Sequence, residues 1–212
     1  MRSFLAPILL AVLLATGNGC SSTVLVSVPP RVDLKGYGTL GVVDFTSNSG
    51  GAGGARATQQ LQEQIQAAQP GTRFIELGSR EAVLAAVGRN QLDADAAKRI
   101  GKRYGVDAVF LGEIAYSDAK TDIRVNDLTK LDAGLRSEVL GDISARLVET
   151  ASGASVWSNS GWVRRQVGRV NVSEQGISAS MTKSDPREEM VPALVYQITH
   201  DFRPTTERRP AK

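Results

Sequence analysis

One cysteine and one histidine occur in 212 residues, and these two scarcities exclude much. Cys20 has no partner for an internal disulfide, so no disulfide framework staples this chain. His200 alone cannot build a multi-histidine metal site, nor a serine–histidine–aspartate triad with a choice of bases, and no metal is expected. Aromatic residues are only 5% of the chain, and its 25 Lys and Arg against 22 Asp and Glu are spread along it. A clustered basic stripe interleaved with aromatics is therefore missing, and no nucleic-acid partner is expected. No glycine run leads into G-K-[ST], and Ser158-Asn159-Ser160 lacks the G-x-S-x-G elbow. Neither a catalytic residue nor a cofactor is expected, and the chain reads as a non-enzyme.

The one long apolar run is Phe4 to Thr16, too short to span a bilayer stably. With Arg2 before it and Gly17, Asn18 and Gly19 after it, residues 1–19 read as a secretory signal peptide. Directly after those small residues stands Cys20, which resembles the lipid-modified cysteine of a bacterial lipobox. Gly17 departs from that pattern, where an aliphatic residue is usual. The lipid on Cys20 would be the chain's only non-protein group, and each buried methylene adds about 0.8 kcal/mol to anchoring. By resemblance to the bacterial sorting rule, Ser21 favours the periplasmic face of the outer membrane.

Beyond the leader, 42% apolar content suffices for one domain over residues 37–204, with a tether over residues 20–36 and a disordered charged tail over 205–212. In the tether, Val24, Val26 and Val28 alternate as in an edge strand that Pro29-Pro30 ends. Thr39 to Phe45 is a core strand, and Ala55 to Ala68 a helix with Leu61 and Ile65 inward. Between them, Gly50, Gly51, Gly53 and Gly54 form a turn whose free amides could cradle an anion weakly, although Arg56 stands where a dinucleotide fingerprint needs glycine. Arg73 to Leu77 is a second strand, and Ser79 caps a helix over Arg80 to Gly88.

The organising stretch is Ala94 to Ile114. Ala96, Ile100 and Tyr104 recur every fourth residue, while Lys98, Arg99, Lys102 and Arg103 cover the other side. Asp93 or Asp95 can cap this helix, and Gly105 suits a left-handed stop. Val106 to Ile114 reads as a strand covered on both faces. Past it, Ala115 to Val125 continues extended, Asn126 to Arg136 is a polar loop, and Glu138 to Glu149 alternates with Ile143, Ala145 and Leu147 inward. After a turn at Thr150 to Ala154, Ser155 to Trp162 returns as an antiparallel partner. Trp157 and Trp162 have opposite parity, and Trp157 is the expected core anchor. Val170, Val172 and Ile177 hint at a flap, Ser178 to Ser184 reads as loop, and Asp185 to Phe202 as a closing helix that Pro192 bends or delays.

RYGVDAVFLGEI at Arg103–Ile114 and the hairpin ISARLVETASGASVWSNSG at Ile143–Gly161 resemble the CsgG-like domain of envelope lipoproteins. That family includes the curli secretion channel and the lipoprotein activator of a peptidoglycan synthase, with the TolB amino-terminal domain as a relative. The resemblance implies an α/β (α+β) anticodon-binding-like sandwich: a mixed sheet with helices packed on it, a C-terminal antiparallel hairpin and a closing helix. It also implies work through protein contacts, with oligomers among the outcomes. Three function classes follow. A non-catalytic envelope lipoprotein that binds a protein partner ranks first, with the basic face of Lys98, Arg99, Lys102 and Arg103 as its surface. A channel subunit ranks second, because Lys120, Asp122, Arg124, Asp127, Lys130, Asp132 and Arg136 are too charged for a lipid face. A small-ligand or nucleotide binder using the glycine-rich turn ranks third.

Overall fold

The computed structural model describes residues 23–50, 52–127, 132–173, 176–181 and 185–210. In chain order these form β1 (Thr23–Val28), β2 (Leu40–Val43), β3 (Thr46–Ser47), α1 (Gly53–Ala68), β4 (Phe74–Gly78), α2 (Arg80–Val87) and α3 (Ala94–Tyr104). Then come β5 (Ala108–Tyr116), β6 (Lys120–Asp127), β7 (Asp132–Glu149), β8 (Ser155–Ser173), β9 (Gly176–Met181), α4 (Pro186–Ile198), a 3-10 turn (Thr199–Phe202) and β10 (Thr205–Pro210). Two compact units divide them: residues 30–203 form the larger, and the segments before Pro30 and after Arg203 form the smaller.

The larger unit is a mixed sheet in the order β4-β2-β5-β7-β8-β9, with β3 beside β5 and β6 beside β7. β2 runs parallel to β4 and β5, and all later pairings are antiparallel. The α/β class, the helices packed on a mixed sheet and the C-terminal antiparallel pairing are as the sequence implied.

Local chemistry sets the elements around β5. Asp93 caps α3 by accepting from the Ala96 amide at 2.8 Å, and Gly105 ends it at φ 66°. Two residues on, the Asp107 carboxylate accepts from the amides of Gly38 (2.6 Å) and Thr39 (3.1 Å), holding the chain that enters β2. Thr150, where β7 turns, donates its hydroxyl to the carbonyls of Val106 (2.7 Å) and Asp107 (2.9 Å).

The inner face of the sheet carries the main core. Leu61 and Ile65 of α1 and Met190, Val191, Leu194 and Ile198 of α4 pack on Phe110, Ile143, Leu147 and Trp157. Trp157 sits 4.7 Å from the Phe202 ring and 6.0 Å from Phe110, centroid to centroid, and its indole N–H donates to buried Asp201 at 3.1 Å. Gln69, also buried, accepts from the Leu34 amide and donates to the carbonyls of Val32 and Phe202. α4 starts at Pro186 behind the Asp185 cap and continues through Pro192, which does not delay it.

Several sequence expectations are corrected. Leu34 is 2% exposed, so residues 30–36 belong to the packed unit and only the segment before Pro30 stands apart from it. β5 is covered on both faces only in its first half, since Glu113 and Ala115 are exposed. The strand expected over Ala115 to Val125 breaks after Tyr116 and resumes at Lys120, because the Leu140 carbonyl takes the Ser117 amide while the Leu140 amide takes the Ser117 hydroxyl. The polar loop over Asn126 to Arg136 is mostly strand: β6 reaches Asp127, β7 starts at Asp132, and only 128–131 lie outside the described residues. Their charges tolerate this because ladder bonds are made by the backbone. β8 runs past Trp162 to Ser173, and Ser178 to Met181 pair with it as β9; residues 182–184 lie outside the description.

The smaller unit is a two-stranded antiparallel ribbon, β1 with β10, in which Thr23 pairs with Pro210 and Val28 with Thr205. The expected disordered tail is thus a strand, although nothing in it is buried.

In the larger unit β9 pairs only with Gly168–Ser173, so β8 is an outer strand over its first half. Two amides there are taken by side chains of the same protein. Gln197 Oε1 accepts from Trp162 N at 3.0 Å, and Asn159 Oδ1 accepts from Ser160 N at 2.8 Å. Replacing Trp157 by alanine is expected to cost about 3 to 5 kcal/mol of unfolding free energy in a denaturant titration, and Trp162 to alanine under about 1 kcal/mol. Equal costs would show that Trp157 is not the anchor of the core.

Candidate functional site

The outer face of the sheet divides in two. Val83 and Val87 of α2 and Ala97 and Ile100 of α3 cover Val43, Val109, Leu111 and Val148. Beyond those four residues the same face is polar and bare. The alternation of β7 places Asp142, Ser144 and Arg146 there, opposite Ile143, Ala145 and Leu147 on the core side. Register sets Glu113 beside Ser144, Ser144 beside Ser160, Arg146 beside Ser158, and Asp142 beside Trp162.

These residues line a groove of about 570 Å³ among Arg80, Glu113, Ser144, Arg146, Ser158 and Ser160. A shallower hollow of about 210 Å³ continues it toward Asp142 and Trp162. Small serines keep the floor low, while Arg80 stands at the start of α2. Among the described residues Arg80, Arg146 and Glu113 have no ion-pair partner, and Arg80 Nε is buried without an acceptor. Trp162 is 60% exposed, unusual for so large an apolar ring. One end of the face is thus basic, the other acidic and aromatic. In an extended strand the four steps from Arg146 to Asp142 span about 14 Å.

The residues singled out from sequence lie elsewhere. Lys98, Arg99, Lys102 and Arg103 are exposed on α3, and none lines the groove. Arg99 is tied to Asp95 at 3.1 Å, and Arg103 lies 5.9 Å from the centre of the Tyr104 ring. Gly53 and Gly54 are the first residues of α1, Gly50 precedes it at φ 67°, and Gly51 lies outside the described residues. A Cβ on Gly54 would come within 2.0 Å of the Phe45 carbonyl oxygen, so close packing alone demands glycine there. Asp185, Glu188 and Arg187 share a cavity of about 100 Å³ with Gly50 and Gly53, two carboxylates against one guanidinium. His200 is exposed, with Nε2 3.1 Å from Asp201. Cys20 lies outside the described residues. No described helix is long and apolar enough to cross a membrane.

The groove escaped the sequence reading because its residues look like any wet strand face. The available signal was Trp162, whose parity puts an indole on that wet face.

No family model matches the chain, and no curated protein matches it. Similar solved structures include a PelC dodecamer from Paraburkholderia phytofirmans, 12% identical, covering 85% of this chain and 97% of that one at a TM-score of 0.40. Lipoprotein GNA1162 from Neisseria meningitidis is 19% identical over 60% of this chain and 83% of that one, at a TM-score of 0.34. The LpoB C-terminal domain from Escherichia coli is 18% identical over 62% and 87%, at 0.35. At these scores no function passes from them to this chain.

Tyr116, beside the glycine turn, donates its hydroxyl to the Arg187 carbonyl at 3.1 Å. Burial, with Asp185 adding to it, pushes its pKa up to about 12. The folded state therefore resists ionisation that the unfolded chain accepts from about pH 10 upward. Stability is expected to be intact below pH 10 and to fall as pH rises toward 12. Tyr116→Phe should remove that part of the slope in denaturant titrations across this range; an unchanged slope would show that Tyr116 does not cause it.

Proposed function

We propose that this chain is a lipid-anchored protein of the bacterial envelope whose α/β domain binds another protein and turns nothing over. The observation that carries the reading is the bare half of the outer sheet face, with Trp162 exposed and two arginines unpaired. Interface centres favour such aromatic and arginine side chains, which desolvate at modest entropic cost. A partner segment with an acidic group toward Arg80 and Arg146, and a basic one toward Asp142, Glu113 and Trp162, complements this charge layout. Its basic group would gain both a carboxylate and the face of an indole. Sheet edges serve less well, since the accessible edge of β8 is closed in part by Asn159 and Gln197.

The way the groove's hydroxyls are placed supports binding over turnover. Among the described residues Ser144 and Ser158 have no side-chain hydrogen bond to a base, and Ser160 uses its backbone amide only. The leader-like residues 1–19 and Cys20 support that address, and Ser21, by resemblance to the bacterial sorting rule, favours the outer membrane. A second reading, the subunit of an outer-membrane secretion channel, draws on β7 and β8, whose 18 and 19 residues exceed the 9 to 11 or so that cross a bilayer. Exposed Arg164 and Arg165 on β8, ion-paired to Glu138 and Glu189, speak against a lipid-facing band.

A photo-reactive residue placed at Ser160 is expected to give discrete adducts with an envelope protein in cells, while one at Lys98 gives none. Arg80→Glu with Arg146→Glu should cut the Ser160 adduct about tenfold. Adducts from Lys98 alone would move the surface to α3. Acylation is checked separately, by the mass of the native amino terminus, where an unmodified residue beyond Cys20 removes the anchor.

A further inference from the structure

The ribbon of β1 and β10 poses a physical problem of its own. Its 12 residues include none that is buried, Leu25 is 69% exposed and Val24 48%. Two strands without a covered face are marginal in water. Register sorts its side chains into two faces, because paired residues of an antiparallel ribbon share a side. Leu25 and Arg208 pair on one face, flanked by Thr23, Ser27, Thr206 and Pro210, and no acidic residue stands among them. On the other face Arg209 is neutralised by Glu207 at 3.2 Å. The first face therefore holds Leu25 beside Arg208, whose charge no acidic residue of that face offsets, whereas the other holds Val24, Val26 and Val28 and is more apolar but nearly neutral.

We propose that the Leu25–Arg208 face docks on the anionic phospholipid headgroups of the membrane, an inference that rests on the lipid-anchor reading above. Chain length enforces the proximity. Thr23 is three residues from Cys20, at most about 11 Å of extended chain. A headgroup layer is about 5 to 8 Å deep on each side of a bilayer. A chain acylated at Cys20 therefore starts β1 at or just above the phosphates. Pairing of Thr23 with Pro210 then brings Arg208 and Arg209 to the same level, although they are nearly the full chain length away in sequence. A guanidinium at that depth forms charge-assisted bonds with phosphate oxygens, and Leu25 enters the interfacial layer beside it. A single lipid attachment leaves a protein free to swivel, and this second contact removes that freedom.

The test uses the chain from Cys20 to Lys212, coupled through its only cysteine to a maleimide-bearing lipid in vesicles, so it does not depend on natural acylation. Hydrogen exchange of the ribbon amides is compared on vesicles of phosphatidylcholine with and without phosphatidylglycerol. Exchange is expected to slow about tenfold on the anionic vesicles at low salt. High salt or Leu25→Ser with Arg208→Glu should abolish the difference, and Arg208→Lys should keep it. Equal exchange on both vesicles overturns the proposal. Protection that follows the density of coupled protein rather than lipid charge also overturns it, and assigns the face to a second copy. An unmodified native amino terminus would instead refute the anchor while leaving the vesicle result standing.

Discussion

The interaction on which the larger unit depends is the joint held by Asp107 and Thr150. One carboxylate fixes where β2 begins, and one hydroxyl fixes where β7 ends, both at Val106 and Asp107, the two residues that lead into β5. β2 is parallel to β5 and β7 antiparallel, so this joint is where the two halves of the mixed sheet are brought into register. A one-residue slip on either side would turn the buried set of that strand outward. The helix before the joint is held to it as well, because a Cβ on Gly101 would meet Thr150 at 2.5 Å. Gly105, Asp107 and Thr150 thus do architectural work at this joint.

Once register is fixed, the bare part of the outer face follows from lengths. α2 and α3 have 8 and 11 residues, about 12 and 16 Å of helix, whereas β7 has 18 residues and about 60 Å of strand. Two short helices cannot cover such strands, and what they leave bare must be polar or occupied. The serines and charges of that bare region meet the first condition, with Trp162 the one large apolar side chain left exposed there.

Much of this was legible in the residues. Asp93, Gly105, Ser79 and Asp185 declare their helix boundaries through local backbone chemistry, which needs no tertiary knowledge. Alternation at Ile143, Ala145 and Leu147 gave the buried side of β7, and parity separated Trp157 from Trp162. Strands rich in charge were the failures: from residues alone the start of β7 reads as loop and β10 as a disordered tail, because their stability comes from backbone pairing with distant partners. Leu34 was assigned to a tether since its burial depends on Gln69 reaching across from the end of α1. The groove was invisible for a similar reason: its limits are set by where α2 and α3 stop, a property of the assembled sheet.

Asn159 and Gln197 have a consequence for how this protein behaves at high concentration. An outer strand with unoccupied amides is a template on which another chain, or an unfolding copy, can add strand after strand. Here the amides of Ser160 and Trp162 already have acceptors, and the side chains that supply them stand where an incoming backbone would lie. An intruding strand would first have to strip both away, leaving the amide of Asn159 without its bond to the Ile198 carbonyl. This guard sits on the stretch of β8 where such addition would otherwise begin.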